Sequence, residues 1–281
     1  MKILLIGEGH GFDSLVRGFT NSSFEVSTLD NKKNMVNIGS KNKIEYALNQ
    51  EISKKYNLII SSGYRNLIPS ELVSNNKFLN IHYALFPKYR GMHSIVWAIL
   101  NGEQQIGITL HIMDSGFDSG PIVWQHSIPI ENKTSWQLML ECDEVIENRI
   151  CEIISKYISG ELIEKTQDHS IATYVGKRNL EDCRINWSTW SATFFERALN
   201  ALVPPYPRPF FEYDGKKYQI TKAKIIHKNY IEINGHIVYV TESSILIKID
   251  GGLVEIFELA INPENSLPVK NFFNKPGIRF L

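Results

Sequence analysis

Apolar and polar positions alternate along this chain in two regimes. In the first, short apolar runs stop at glycine, serine or proline. Lys2-Ile3-Leu4-Leu5-Ile6, Phe24-Glu25-Val26-Ser27-Thr28-Leu29, Asn57-Leu58-Ile59-Ile60-Ser61 and Phe78-Leu79-Asn80-Ile81-His82 predict strands, as do residues 106–113 and 122–130. Between them the spacing turns helical. It predicts helices over residues 12–20, near 43–48, over 93–101 and over 134–157. In the last of these, Leu138, Cys142, Ile146, Ile150 and Ile153 recur on one face and Gly160 closes the run. The opening strand, glycine turn and helix are how a doubly wound sheet begins. Gly7-Glu8-Gly9-His10-Gly11 is not a complete dinucleotide fingerprint, because its third glycine comes too early. A tight turn without a ligand reads equally well there. Asp30, at the end of the second strand, either reads a ribose or opens a loop.

The second regime starts after a polar, irregular stretch over residues 167–181, which reads as a linker. A helix follows with Ser188 as its expected N-cap and Phe194, Ala198 and Leu202 on its apolar face; Pro204-Pro205-Tyr206-Pro207-Arg208-Pro209 ends it. From Phe210 onward the pattern is short strands, with hairpin turns expected at Tyr213-Asp214-Gly215, Ile233-Asn234-Gly235 and Ile249-Asp250-Gly251-Gly252. The expected fold is α/β: a doubly wound Rossmann-like domain over residues 1–180, then a helix and a small, mostly-β, OB-like domain over 181–281.

A chain of 281 residues with 43% hydrophobic residues has room for this pair of domains. Lys+Arg and Asp+Glu are equal at 30 each, which argues against a polyanion as the main partner. Its 3 cysteines form no Cys-x-x-Cys motif, so neither a disulfide framework nor a metal ribbon is expected. The first apolar run is too short for a signal peptide and no stretch is long enough to span a membrane, which gives a cytoplasmic expectation.

The chemistry concentrates where the fourth strand ends. Side chains alternate along a strand, so Asn80 and His82 share a face and present an amide and an imidazole at the strand end. In open α/β sheets that is where ligands sit. Further on, Asp114-Ser115-Gly116-Phe117-Asp118-Ser119-Gly120-Pro121 forms an acidic loop between two strands. Taken singly, the histidine could be a core residue and the aspartates turn formers. Together they can converge on one reacting atom.

Asn80-x-His82, then Phe86-Pro87-Lys88-Tyr89-Arg90-Gly91, then Asp114-x-Gly116-x-Asp118-x-Gly120-Pro121 resembles the folate-dependent formyltransferases, most nearly the bacterial nucleotide-sugar N-formyltransferases. The resemblance is strongest from Leu58 to Gln125. It implies 10-formyl-tetrahydrofolate as co-substrate, no metal, and catalysis by Asn80, His82 and Asp118. It places the pterin against the loop of Tyr64, Arg65, Asn66, Leu67 and Ile68, with His111 and Asp114 beside the folate. His111 reads equally well as a core histidine. Gly9, His10 and Gly11 correspond to a substrate-phosphate region. Lys88, Tyr89 and Arg90 follow the catalytic strand and could grip phosphate. Arg184 and Asn186 are candidate nucleotide contacts, and Trp187 or Tyr206 a stacking surface for a base; the two aromatics read equally well as core.

The reading that fits best is formyl transfer to the amine of a nucleotide-linked amino sugar, most often a dTDP-4-amino-4,6-dideoxyhexose, for surface-polysaccharide synthesis. The alternative is a methionyl-tRNA formyltransferase. The short loop after Tyr64 and the lack of a Lys/Arg block near Tyr89 argue against it. A nicotinamide-dependent oxidoreductase is disfavoured by the incomplete glycine motif, and a catalytically silent nucleotide-binding module by the intact trio. A homodimer is compatible with the small sheet-rich second domain.

Overall fold

The computed structural model describes residues 1–32, 34–37, 44–45, 48–74, 78–228, 231–261 and 265–281. The chain forms two compact units. One comprises Met1–Ile95, Gln104–Glu131 and Gln137–Gly176; the other Val96–Glu103, Asn132–Trp136 and Lys177–Leu281.

The first unit is built on one sheet. In chain order its elements are β1 (Lys2–Gly7), α1 (His10–Phe19), β2 (Glu25–Asp30), β3 (Asn34–Asn37), β4 (Ile44–Glu45), α2 (Gln50–Ser53), β5 (Leu58–Ser62), α3 (Ser70–Val73), β6 (Phe78–His82), β7 (Arg90–Gly91), α4 (Ser94–Asn101), β8 (Gln105–Ile112), β9 (Ile122–Pro129), α5 (Ser135–Ile158) and β10 (Tyr174–Val175). Helices α4 and α5 each contribute residues to both units. The sheet order is β4-β3-β2-β1-β5-β6-β8-β9. Strands β2, β1, β5 and β6 run parallel; β8 runs antiparallel to β6, and β9 antiparallel to β8. The continuous apolar runs of β1 and β5 follow from this: each is a central strand covered on both faces. One covering layer seats Leu4, Ile6, Leu29, Ile59 and Phe78 against Ile52 and Leu72. Gly18 lets α1 approach α5, since a Cβ there would lie 2.5 Å from Ile150.

Strand β6 has one apolar and one half-polar face. Phe78, Leu79 and Ile81 are buried and Asn80 and His82 half-buried. It pairs with β5 through Ser61↔Asn80 and with β8 through Asn80↔His111 and His82↔Thr109. That register sets Asn80 beside His111.

Two expectations fail in this unit. Of residues 43–48, Ile44–Glu45 is a strand paired with β3 rather than a helix, Leu48 lies outside any regular element, and 43 and 46–47 lie outside the described residues. Residues 167–181 do not act as a linker throughout: Gln167 is only 3% exposed, and β10 pairs parallel with β7.

The second unit contains α6 (Ala192–Ala201), β11 (Phe210–Tyr213), β12 (Lys216–Ile226), β13 (Ile237–Val240), β14 (Ile245–Ile249), β15 (Gly252–Ala260) and β16 (Ser266–Pro268). Its antiparallel sheet has the order β11-β12-β15-β14-β13, with β16 on β15, and irregular registers at Ile220–Lys222–Ala223 curl the long β12. The turns at Asp214-Gly215 and Asp250-Gly251 are hairpins. At the first, φ values of 49° and 68° give the left-handed pair that twisted strands require. Asn234-Gly235 instead turns the chain after β12, where Gly235 N–H donates to Lys248 O. The cap of α6 is Ser191 rather than Ser188, and the buried face is Ala192, Phe195, Ala198 and Ala201, with Phe194 only half-buried. Among the described residues no helix is long and apolar enough to cross a membrane, and none form a cluster of three potential metal ligands.

Candidate active site

Asn80, His82, His111 and Asp118 come together at the end of β6. β6 supplies the amide and one imidazole, β8 the second imidazole, and the loop between β8 and β9 the carboxylate. Asp118 Oδ2 lies 3.9 Å from His82 Nδ1, and Oδ1 lies 3.8 Å from His111 Nε2. Asn80 Nδ2 is 3.2 Å from His111 Nε2. The side chains of His82 and Asp118 keep 12% and 16% of their surface exposed, while that of His111 keeps 3%. The cluster is therefore sheltered yet reachable.

The partners fix the tautomers. A backbone carbonyl only accepts, so His111 Nδ1–H donates to Ile112 O at 2.9 Å and its Nε2 lone pair accepts from Asn80. Burial pushes the His111 pKa down to about 4, against the opposing pull of Asp118, so this imidazole is neutral at physiological pH. Asn80 is thereby oriented with its nitrogen toward His111, and its second N–H has no protein acceptor among the described residues. His82 Nε2–H donates to Tyr89 O at 3.0 Å. Its Nδ1 is therefore the nitrogen that faces Asp118, and in the imidazolium form it carries the proton available for chemistry. The ring stacks on Phe86 with centroids 4.8 Å apart, and Phe86 also meets His111 edge-on at 5.0 Å.

The turn after β6 is pinned from β8 and β9. Thr109 Oγ1 donates to Ala84 O, and Gln125 Nε2 donates to Phe86 O and to Thr109 Oγ1. Asp118 is a left-handed residue with φ 55°, a conformation that Asp tolerates better than most side chains. Gly91 N–H holds its Oδ2 at 2.8 Å.

The expected folate loop is anchored by Asn31. Asn31 Oδ1 accepts from Arg65 N–H at 2.9 Å, its Nδ2 donates to Gly63 O, and its own O accepts from Asn66 Nδ2. Tyr64 and Ile68 pack on the core with Met113, while Arg65, Asn66 and Leu67 are exposed, Leu67 at 93%. Asp114 caps its own loop through Gly116 N and Ser119 Oγ. A cavity of about 240 Å³ lies beside it, lined in part by Ser70, Val73, Met113, Asp114 and Pro121. The helix side of this cavity carries only small apolar and hydroxyl side chains, which give no signal in sequence.

Two candidates are corrected. Arg90 is fully buried, and its guanidinium is bound by Gln167, Tyr174 and His169, so it cannot serve as a surface phosphate clamp. Trp187 is 1% exposed among Phe195, Phe211 and Phe280, so it has no open face for a base. Of the others, His10 and Lys88 are exposed and Tyr89 and Tyr206 half-buried. Arg184 pairs with Glu181 and Glu212 at 2.7 and 3.1 Å, and Asn186 Oδ1 accepts from Ser188 and Thr189 N–H in a turn. Asn31, Thr109, Gln125 and Gln167 are polar residues that the sequence does not single out. An amide side chain looks like any other until its partners are placed.

A parallel-rich sheet with an Asn–His–Asp cluster at a strand end can place hydrogen-bond donors for acyl transfer, and family comparison gives the class. The formyl transferase model matches residues 18–154, and the model for the formyl transferase C-terminal domain matches residues 178–277. The chain belongs to the formyl transferase family, whose chemistry is folate-dependent formyl transfer, and it is an N-formyltransferase. It is 28% identical over 221 residues to a methionyl-tRNA formyltransferase of Caldanaerobacter subterraneus subsp. tengcongensis, covering 76% of this chain and 70% of that protein. An N-formyltransferase from Helicobacter canadensis, solved with folinic acid and dTDP-3-aminofucose, matches with a TM-score of 0.69 at 19% identity over 92% of this chain and 99% of that one. A variant of HypX from Aquifex aeolicus matches with a TM-score of 0.65 at 20% identity over 96% of this chain. The chain spans about half of HypX, 48%. At these identities the two structures share the fold.

Proposed function

We propose that this chain transfers the formyl group of 10-formyl-tetrahydrofolate to the amine of a nucleotide-linked amino sugar. The leading acceptor is a dTDP-linked 4-amino-4,6-dideoxyhexose destined for surface polysaccharide. The observation that carries the chemistry is the meeting of Asn80, His82 and Asp118 at the end of β6. The amine nitrogen attacks the formyl carbon and the carbonyl oxygen becomes an oxyanion. The second Asn80 N–H and the Nδ1–H of a charged His82 are its donors, placed before the charge appears. Asp118 takes the amine proton, directly or through a water. The C–N bond to the folate then breaks as that nitrogen gains a proton. The cavity beside Asp114 would receive part of the folate.

The full-length match to an amino-sugar formyltransferase fold and the balanced charge support the sugar acceptor. The second reading is formyl transfer to methionyl-tRNA, favoured by the name of the 28% identical relative. The test is product mass spectrometry after incubation with 10-formyl-tetrahydrofolate and a panel of amino-sugar nucleotides and Met-tRNA. The proposal expects the mass of one added formyl group on a sugar nucleotide. Formylation of Met-tRNA alone would overturn the acceptor assignment.

A further inference from the structure

Gln167 is 97% shielded from solvent and uses its whole hydrogen-bonding capacity. Its Nε2 donates to Asp118 O at 3.0 Å and to Gly120 O at 2.7 Å. Its Oε1 accepts from Arg90 Nε at 3.2 Å and Nη2 at 2.7 Å. The amide cannot flip, because that would set its oxygen against two carbonyls and its NH2 against a guanidinium. Arg90 is also fully buried, and its remaining contacts are Tyr174 Oη at 2.6 Å and His169 Nδ1 at 3.2 Å. None of these acceptors is a carboxylate. A buried cation is costly unless its charge is answered, and here Gln167 links the guanidinium to the loop that holds Asp118. The residue after Arg90, Gly91, donates its N–H to the Asp118 carboxylate. Asp118 is thus gripped on its backbone by Gln167 and on its side chain by Gly91, both from a structure centred on one guanidinium.

We infer that Gln167, locked by Arg90, is a positioning residue for formyl transfer, setting the place of the Asp118 carboxylate relative to His82 and His111. The inference rests on the reading of Asp118 as catalytic. In this account the β7–β10 pair and Gln167 form the rear wall of the catalytic loop, and Arg90 acts on the reaction through them and touches no substrate.

Two variants separate positioning from mere anchoring. Gln167→Glu keeps both acceptors for Arg90 and loses both donors to the loop. Gln167→Asn keeps the chemistry but is one methylene too short to span Arg90 and both carbonyls. The measurements are kcat, KM for the folate donor and Tm, on the full chain. A displaced carboxylate lowers kcat about 10- to 100-fold, with donor KM within about threefold. Wild-type kcat in the folded variants, with only Tm lowered, would overturn the inference. Should Gln167→Glu not fold, Gln167→Asn decides alone. Asp118→Asn is the control: if it is as active as wild type, the catalytic reading itself fails, whereas its inactivity beside fully active Gln167 variants removes only the role of Gln167.

Discussion

Asn80 and His111 depend on each other for orientation. The neutral imidazole offers one lone pair and the amide fills it, and in the proposed mechanism the second amide hydrogen donates to the oxyanion. Replacing Asn80 by Ala removes that donor, and kcat should fall about 10²- to 10³-fold with a smaller change in KM. His111 also makes stability depend on pH. Its pKa in the fold, about 4, lies below the 6.5 of an exposed histidine, so the unfolded chain binds the proton more readily. The stabilisation from a neutral His111 is present above pH 6.5 and is lost as pH falls toward 4. Denaturant unfolding at pH 7 and pH 4.5 should show a smaller acid loss in His111→Asn than in wild type; equal losses would remove His111 as the cause. Residue identity pointed to the place where these side chains meet, since Asn80 and His82 stand at a strand end and Asp118 in the acidic loop between two strands. It misjudged Arg90 and Trp187, because a guanidinium or indole reads the same in a sequence whether it meets solvent or is walled in by Gln167 and Tyr174 or by three phenylalanines.

At the scale of elements, the two-residue pair β7–β10 matters more than its length suggests. Gly91 has φ 106°, and a Cβ there would come 2.2 Å from Val175 O. Gly91→Ala must therefore part β7 from β10 or strain the backbone. It should cost at least about 2 kcal/mol in denaturant unfolding and lower kcat, because the Gly91 N–H that holds Asp118 shifts with it. Unchanged stability and rate would show that this pair does not support the site. The long strands and α5 were legible because buried strands read as apolar runs and a buried helix face repeats every three to four residues. The pair β7–β10 was not. Its strands are too short for any period, and Gln167, His169 and Thr173 bond to Tyr89 and Arg90 from a stretch whose polar composition reads as a linker. The helix expected near 43–48 failed for a related reason: Ile44–Glu45 takes its conformation from backbone pairing with β3, which outweighs local propensity.

For the whole molecule, the acceptor decides the biology. An equal count of 30 cationic and 30 anionic side chains suits a sugar nucleotide, whose binding should weaken only modestly with salt. A tRNA acceptor would show a steep linear fall of log affinity with log salt. Titrating acceptor KM between low and physiological ionic strength should give a shallow slope; a steep one would favour the tRNA reading. The central claim, that Asn80, His82 and Asp118 carry out formyl transfer, is tested most directly by single-turnover transfer with His82→Ala, 10-formyl-tetrahydrofolate and the accepted amine. The expected rate is at least about 10³-fold below wild type, with folate binding and Tm nearly unchanged. Transfer at the wild-type rate would contradict it.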